Sequence, residues 1–167
     1  MERSSACHGT DNFVPGPNIF NNGLEFPYVD AGKGAITGVA ADNGKFKVGS
    51  LRNIELTAPY MHDGRFATLE QVVDFYNRGG DFNEVGHHEE VRELGLTQQE
   101  KSDLVAFMKS LTDERVRYKR APFDHPQLFI TNGPANVATG SDNPADQLIE
   151  IPAVGAAGGT PTRNFLD

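Results

Sequence analysis

Apolar residues recur with a helical period in two stretches of the chain. In the first, Leu69, Val72, Val73 and Tyr76 stand at i, i+3, i+4 and i+7, which puts four side chains on one buried face of an α-helix. Thr68 precedes Leu69 and has Gln71 three places on, a capping-box pattern that satisfies the free N–H groups of a helix start. Gly79-Gly80 ends the pattern. In the second, Thr97 with Glu100 makes another box, and Leu104, Phe107, Met108 and Leu111 make another stripe, predicting a helix to about Leu111. Residues 1–50 are rich in Gly, Asn and Pro, as in Val14-Pro15-Gly16-Pro17-Asn18, and cannot hold long regular elements. Beyond residue 118 periodicity is lost again. Leu128-Phe129-Ile130 and Leu148-Ile149 with Ile151 are too apolar for a purely solvated segment, so residues 119–167 are expected as an extended tail that wraps over a surface. The expected division is a mainly α domain with long irregular loops over 1–118, then that tail.

At 167 residues with 38% hydrophobic content the chain suits one modest core. A mean hydropathy of -0.45 agrees with long polar loops. The net charge of -8 argues against nucleic acid or an anionic membrane as a partner, since either needs a basic face to displace counterions. No apolar run approaches the roughly 18–20 residues of a membrane span. No charged-then-apolar leader precedes Cys7, so this sequence is expected to carry no signal peptide.

A single Cys rules out an internal disulfide, and its neighbour gives it interest. Cys7-His8 is the second half of a C-x-x-C-H haem-attachment motif, with Ser4 where the first Cys would stand. Haem iron needs a proximal nitrogen ligand, and a thioether holds the macrocycle beside it; His8 and Cys7 supply one of each. One Cys with scattered His residues lacks the paired spacing of a zinc site. His87-His88-Glu89-Glu90 and His125 are expected in solvated loops, with no assigned role. Tyr76, on the apolar stripe, needs a partner for its hydroxyl, either a backbone carbonyl or a metal.

The run Leu51-Arg52-Asn53-Ile54-Glu55-Leu56-Thr57-Ala58-Pro59-Tyr60-Met61-His62-Asp63-Gly64-Arg65-Phe66-Ala67-Thr68-Leu69 resembles the C-terminal haem domain of bacterial di-haem cytochrome c peroxidases and MauG-like proteins. The stretch from Leu96 to Leu111 resembles that domain's closing helix, and with Cys7-His8-Gly9 the likeness covers most of residues 5–118. Ala121-Pro122-Phe123-Asp124-His125-Pro126-Gln127 and the stretch from Leu148 to Gly155 are similar to an extension of larger members.

The resemblance implies a cytochrome c-like fold and a haem c held by Cys7, with His8 as proximal ligand. It implies Tyr76 as distal ligand, by alignment with the MauG-like tyrosine; Met61 is the rival on chemistry alone, since a thioether is the usual partner in electron-transfer cytochromes and Met61 lies just before His62. His62 and Arg65 become surround residues that pair with propionates or backbone groups. Backbone carbonyls of Thr57 and Pro59 match calcium ligands that, in the family, are completed by an Asn from the N-terminal domain, so at most a partial calcium site is expected. The implied function is one-electron relay to a peroxidatic haem in an N-terminal domain, within a periplasmic peroxidase-type oxidoreductase. The implied donor is a small cytochrome or copper protein.

Three departures bear on this. Ser4 removes one thioether, Gly49 replaces a Pro that often precedes the Leu-Arg-Asn segment, and the helix expected before the Cys motif is missing. Without that helix the Leu104, Phe107, Met108 and Leu111 stripe loses packing surface, at roughly 1.5–3 kcal/mol for each exposed side chain. A stand-alone haem electron-transfer module and a haemless interaction domain are the alternatives.

Overall fold

The computed structural model describes residues 7–9, 13, 18–83, 86–131 and 148–161; Ser4 lies outside them. The chain divides into two compact units, one within residues 1–112 and the other within 113–162. In the first, a short antiparallel pair β1 (Ile19–Phe20) and β2 (Phe46–Lys47) flanks the helix α1 (Lys33–Thr37), and two longer helices follow, α2 (Leu69–Asn77) and α3 (Gln98–Ser110). Both expected capping boxes form. The Thr68 hydroxyl accepts from the Gln71 N–H at 3.3 Å, and the Gln71 side chain accepts from the Thr68 N–H at 3.2 Å. Thr97 and Glu100 make the same reciprocal pair at 3.3 and 2.8 Å. We expect Thr68→Ala and Thr97→Ala each to cost about 1 kcal/mol, read as a fall in the denaturant midpoint. An unchanged midpoint in both would deny the caps their energetic role.

Ala58, Tyr60, Leu69, Val73, Val105 and Met108 form the core cluster where α2 meets α3, with Ile54, Phe66 and Val72 packed against it. Two sequence expectations are corrected here. Val105 and Met108 are the buried residues of α3, whereas Leu104 and Phe107 are 37% and 43% exposed. The helix meets α2 through Val105 and Met108, at one edge of the expected stripe, and Phe107 instead takes an edge contact from Phe13 at 5.6 Å. In α2 the most buried residue is Phe75, which the stripe omits, because it packs on Phe66 and Tyr76 from the other side of the helix.

α2 ends at Arg78, and the next two residues turn back. Gly80 donates to the Phe75 carbonyl, and its positive φ of 84° suits glycine. A Cβ there would stand 2.8 Å from the Asn22 carbonyl oxygen, so the turn presses directly on the chain at Asn22. Asp81 and Phe82 then both donate to the Gly23 carbonyl, at 2.9 and 3.0 Å. Gly23 is equally constrained, since a Cβ at its φ of 71° would lie 2.3 Å from the Phe82 carbonyl oxygen.

The second unit begins with the short helix α4 (Glu114–Arg117), and residues expected as an extended tail pair with each other. β3 (Leu128–Thr131) runs antiparallel to β4 (Leu148–Ile151), with Phe129 opposite Glu150 and Ile130 opposite Ile149. Backbone pairing supplies what periodicity in the sequence did not announce.

Candidate metal centre

Cys7 and His8 lie in helical conformation. The His8 Nδ1 stands 3.0 Å from the Gly49 carbonyl oxygen. A carbonyl only accepts, so the ring carries its hydrogen on Nδ1 and keeps the Nε2 lone pair for a metal. Gly49 is held at both sides, by Val48 N–H on the Asn18 carbonyl and by Ser50 Oγ on that of Phe13. Burial lowers the His8 pKa, the Gly49 bond opposing, and so favours the neutral, ligating imidazole. The free Cys7 thiol is pushed up by burial and then by the Glu90 charge, so it stays protonated at neutral pH.

The Tyr76 hydroxyl accepts from the Asn22 carboxamide N–H₂ at 3.3 Å. That nitrogen also donates to the Met61 Sδ, at 3.7 Å. The two candidate distal donors therefore converge on one side chain. Burial pushes the Tyr76 pKa up; the Asn22 bond pulls it down, and a charged Cys7 would raise it, which puts the thiol within electrostatic reach of the phenol. Asn22 was not singled out in the sequence, where Asn21-Asn22-Gly23 has only the composition of a turn. Its neighbour Asn21 is buried and braces that turn, donating to Tyr28 at 2.8 Å and accepting from the Gly23 N–H at 2.8 Å.

Met61 opens a loop pinched by the Tyr60–Phe66 bridge and has a positive φ of 72°, which costs a non-glycine residue about 1–2 kcal/mol. His62 stacks on Phe46 with centroids 3.7 Å apart. Arg65 binds Asp63 through its Nε at 2.6 Å and donates through Nη1 to the Leu24 carbonyl at 2.8 Å, with Glu25 at 3.6 Å. Its guanidinium is thus engaged by two carboxylates and a backbone group. Thr57 closes the 3-10 turn Ile54–Leu56, donating to Ile54 through both N–H and Oγ1, and precedes the cis Ala58-Pro59 peptide.

The expectation of solvated loops fails at His87 and His88, which are both half-buried. His88 packs on Phe20 at 4.1 Å, and the His87 ring lies against Gly23. The His125 Nδ1 faces the Pro126 carbonyl at 2.9 Å. Among the described residues no group of three or more His, Cys, Asp or Glu side chains gathers as it would around a separate ion. A cleft of about 310 Å³ between α2 and α3, lined by Val73, Lys101, Val105 and Ala106, includes none of the candidate ligands.

The donor set suits a haem iron: an imidazole with its outer nitrogen tied to a carbonyl, a thiol next to it, and a phenol with a thioether around a common amide. No helix among the described residues is long and apolar enough to cross a membrane.

No family model matches the chain. It is 49% identical over 85 residues to a cytochrome-c peroxidase of Denitromonas iodatirespirans, covering 51% of this chain and 22% of that protein. It is 44% identical over 120 residues to the cytochrome c551 peroxidase of Nitrosomonas europaea (68% of this chain, 31% of the other). To the methylamine utilization protein MauG of Methylorubrum extorquens it is 35% identical over 111 residues (66% and 31%). The crystal structure of a MauG-like protein associated with microbial copper homeostasis matches with a TM-score of 0.61 and 37% identity, over 72% of this chain and 46% of that one. The chain thus spans less than a third of the length of these curated relatives.

Proposed function

The chain belongs to the family of bacterial cytochrome c peroxidases and MauG proteins, and we propose that within it this is the C-terminal haem domain, a relay for single electrons. The observation that carries this reading is the His8–Gly49 bond, which leaves Nε2 as a lone-pair donor beside Cys7. Haem c, when bound, supplies the one-electron Fe(III)/Fe(II) couple. The chain's own residues hold and tune it. His8 provides the proximal nitrogen and Cys7 the one thioether that the sequence allows. Tyr76 provides the distal oxygen from α2, a rigid element whose start and end are both fixed by hydrogen bonds. A phenolate favours ferric iron through its charge and so lowers the reduction potential relative to the Met61 thioether.

His62 on Phe46 and Arg65 across Asp63 and Leu24 stiffen the loop that carries Met61. The partners of this reading are an N-terminal peroxidatic haem domain and a protein donor such as a small cytochrome or copper protein, in the periplasm. The Thr57 and Pro59 carbonyls contribute part of a calcium site to that longer protein.

The test is a pyridine haemochrome assay and visible spectrum of the chain produced in cells that attach haem c. We expect one haem per chain and a Soret band, with a haemochrome band shifted to the red because a single thioether leaves one vinyl group conjugated. Protein that carries no haem overturns the relay and leaves the haemless interaction domain.

A further inference from the structure

Two donors of different chemistry compete at this centre, and one side chain touches both. We propose that Asn22 is the positioning residue that decides whether the Tyr76 oxygen or the Met61 sulfur serves the iron; this rests on the reading of those two side chains as distal donors. A carboxamide N–H₂ has two hydrogens. Their nitrogen lies 3.3 Å from the Tyr76 oxygen and 3.7 Å from the Met61 sulfur, which gives one hydrogen to each acceptor.

The two bonds act in the same direction. An N–H donated to a phenol oxygen stabilises its anionic, ligating form, because hydrogen bonds to a charged acceptor are about twice as strong as neutral ones. An N–H donated to the thioether occupies a lone pair that sulfur would otherwise offer to a metal. Sulfur is the weaker acceptor, so the amide is held chiefly by the oxygen and restrains the sulfur as a consequence.

For an amide to arbitrate it must not move, and the backbone here is pinned from three directions. Gly80 lies against the Asn22 carbonyl. Asp81 and Phe82 both donate to Gly23. The Asn21 side chain accepts from the Gly23 N–H at 2.8 Å and anchors itself on Tyr28. Met61 stands at the head of the loop closed by the Tyr60–Phe66 bridge, with a left-handed backbone. The arrangement makes Asn22 the fixed point between the two donors.

The experiment uses the haem-loaded chain, with electron paramagnetic resonance and visible spectra of the ferric state as readouts and far-ultraviolet circular dichroism as the folding control. Asn22→Leu keeps the volume and removes both hydrogens; Asn22→Asp keeps the shape and sets a carboxylate against the phenolate. In each, the ratio of tyrosine-ligated to methionine-ligated iron should fall roughly ten- to hundredfold, the loss of a hydrogen bond to a charged group. Adding Met61→Leu to Asn22→Leu should remove the thioether-ligated form altogether. Should Asn22→Leu lose its helical dichroism, Asn22→Asp decides alone. If Tyr76→Phe alters the wild-type spectrum but Asn22→Leu and Asn22→Asp do not, the role of Asn22 is refuted while the ligand assignment stands. If Tyr76→Phe and Met61→Leu both leave the spectrum unchanged, the ligand assignment itself is refuted and the role of Asn22 goes with it.

Discussion

Replacing His8 with Ala should abolish the low-spin ferric spectrum of the haem-loaded chain. Loss of an outer partner of a metal ligand already costs about 10–100-fold in affinity, so loss of the ligand nitrogen should exceed that. The environment of His8 shows why no other group takes over. Its ring is half-buried, neutral by desolvation, and oriented through the Gly49 carbonyl at 3.0 Å. Alanine leaves that carbonyl without the ring and puts no nitrogen in its place. His125→Ala serves as the control, because His125 belongs to the other compact unit and bonds locally to Pro126. The assignment fails if His8→Ala keeps an unchanged low-spin Soret band.

The second large effect concerns Tyr76. Tyr76→Phe preserves the ring that meets Phe75 edge-on at 5.1 Å and removes only the oxygen, so the fold should hold while ferric iron becomes five-coordinate or takes water. Met61→Leu should leave the spectrum as it was. The reverse pattern, a spectrum disturbed by Met61→Leu and indifferent to Tyr76→Phe, would make this a His–Met electron-transfer centre. Thermal unfolding separates packing from ligation: Tyr76→Phe removes one hydrogen bond, worth about 1 kcal/mol, whereas the spectral change should be complete.

The helices were legible because their causes are local. Thr68 with Gln71 and Thr97 with Glu100 each lie three residues apart, and the bonds they make form whatever the rest of the chain does. The candidate proximal pair could be picked out for the same reason, since Cys7 and His8 are adjacent. The burial of α3 was not. Leu104, Phe107, Met108 and Leu111 define an apolar face by composition, but a helix packs through the face its neighbour reaches, and α2 reaches Val105 and Met108. Phe75 was missed by the same logic, because a helix clad on more than one side has no single stripe.

The sequence by itself thus determined the two capped helices, the candidate ligand residues and the likeness to cytochrome c peroxidases and MauG proteins. Tertiary structure alone decided how those residues are tuned. The carbonyl that orients His8 comes from 41 positions away, and the amide between the two candidate distal donors lies 54 positions from Tyr76 and 39 from Met61. A hydrogen bond is directional over about 3 Å, while sequence spacing carries periodicity only along one element. Which glycine carbonyl or turn asparagine meets a ligand is therefore set by how the Gly79-Gly80 turn lays the end of α2 across Asn22 and Gly23, and that crossing exists only in the folded chain.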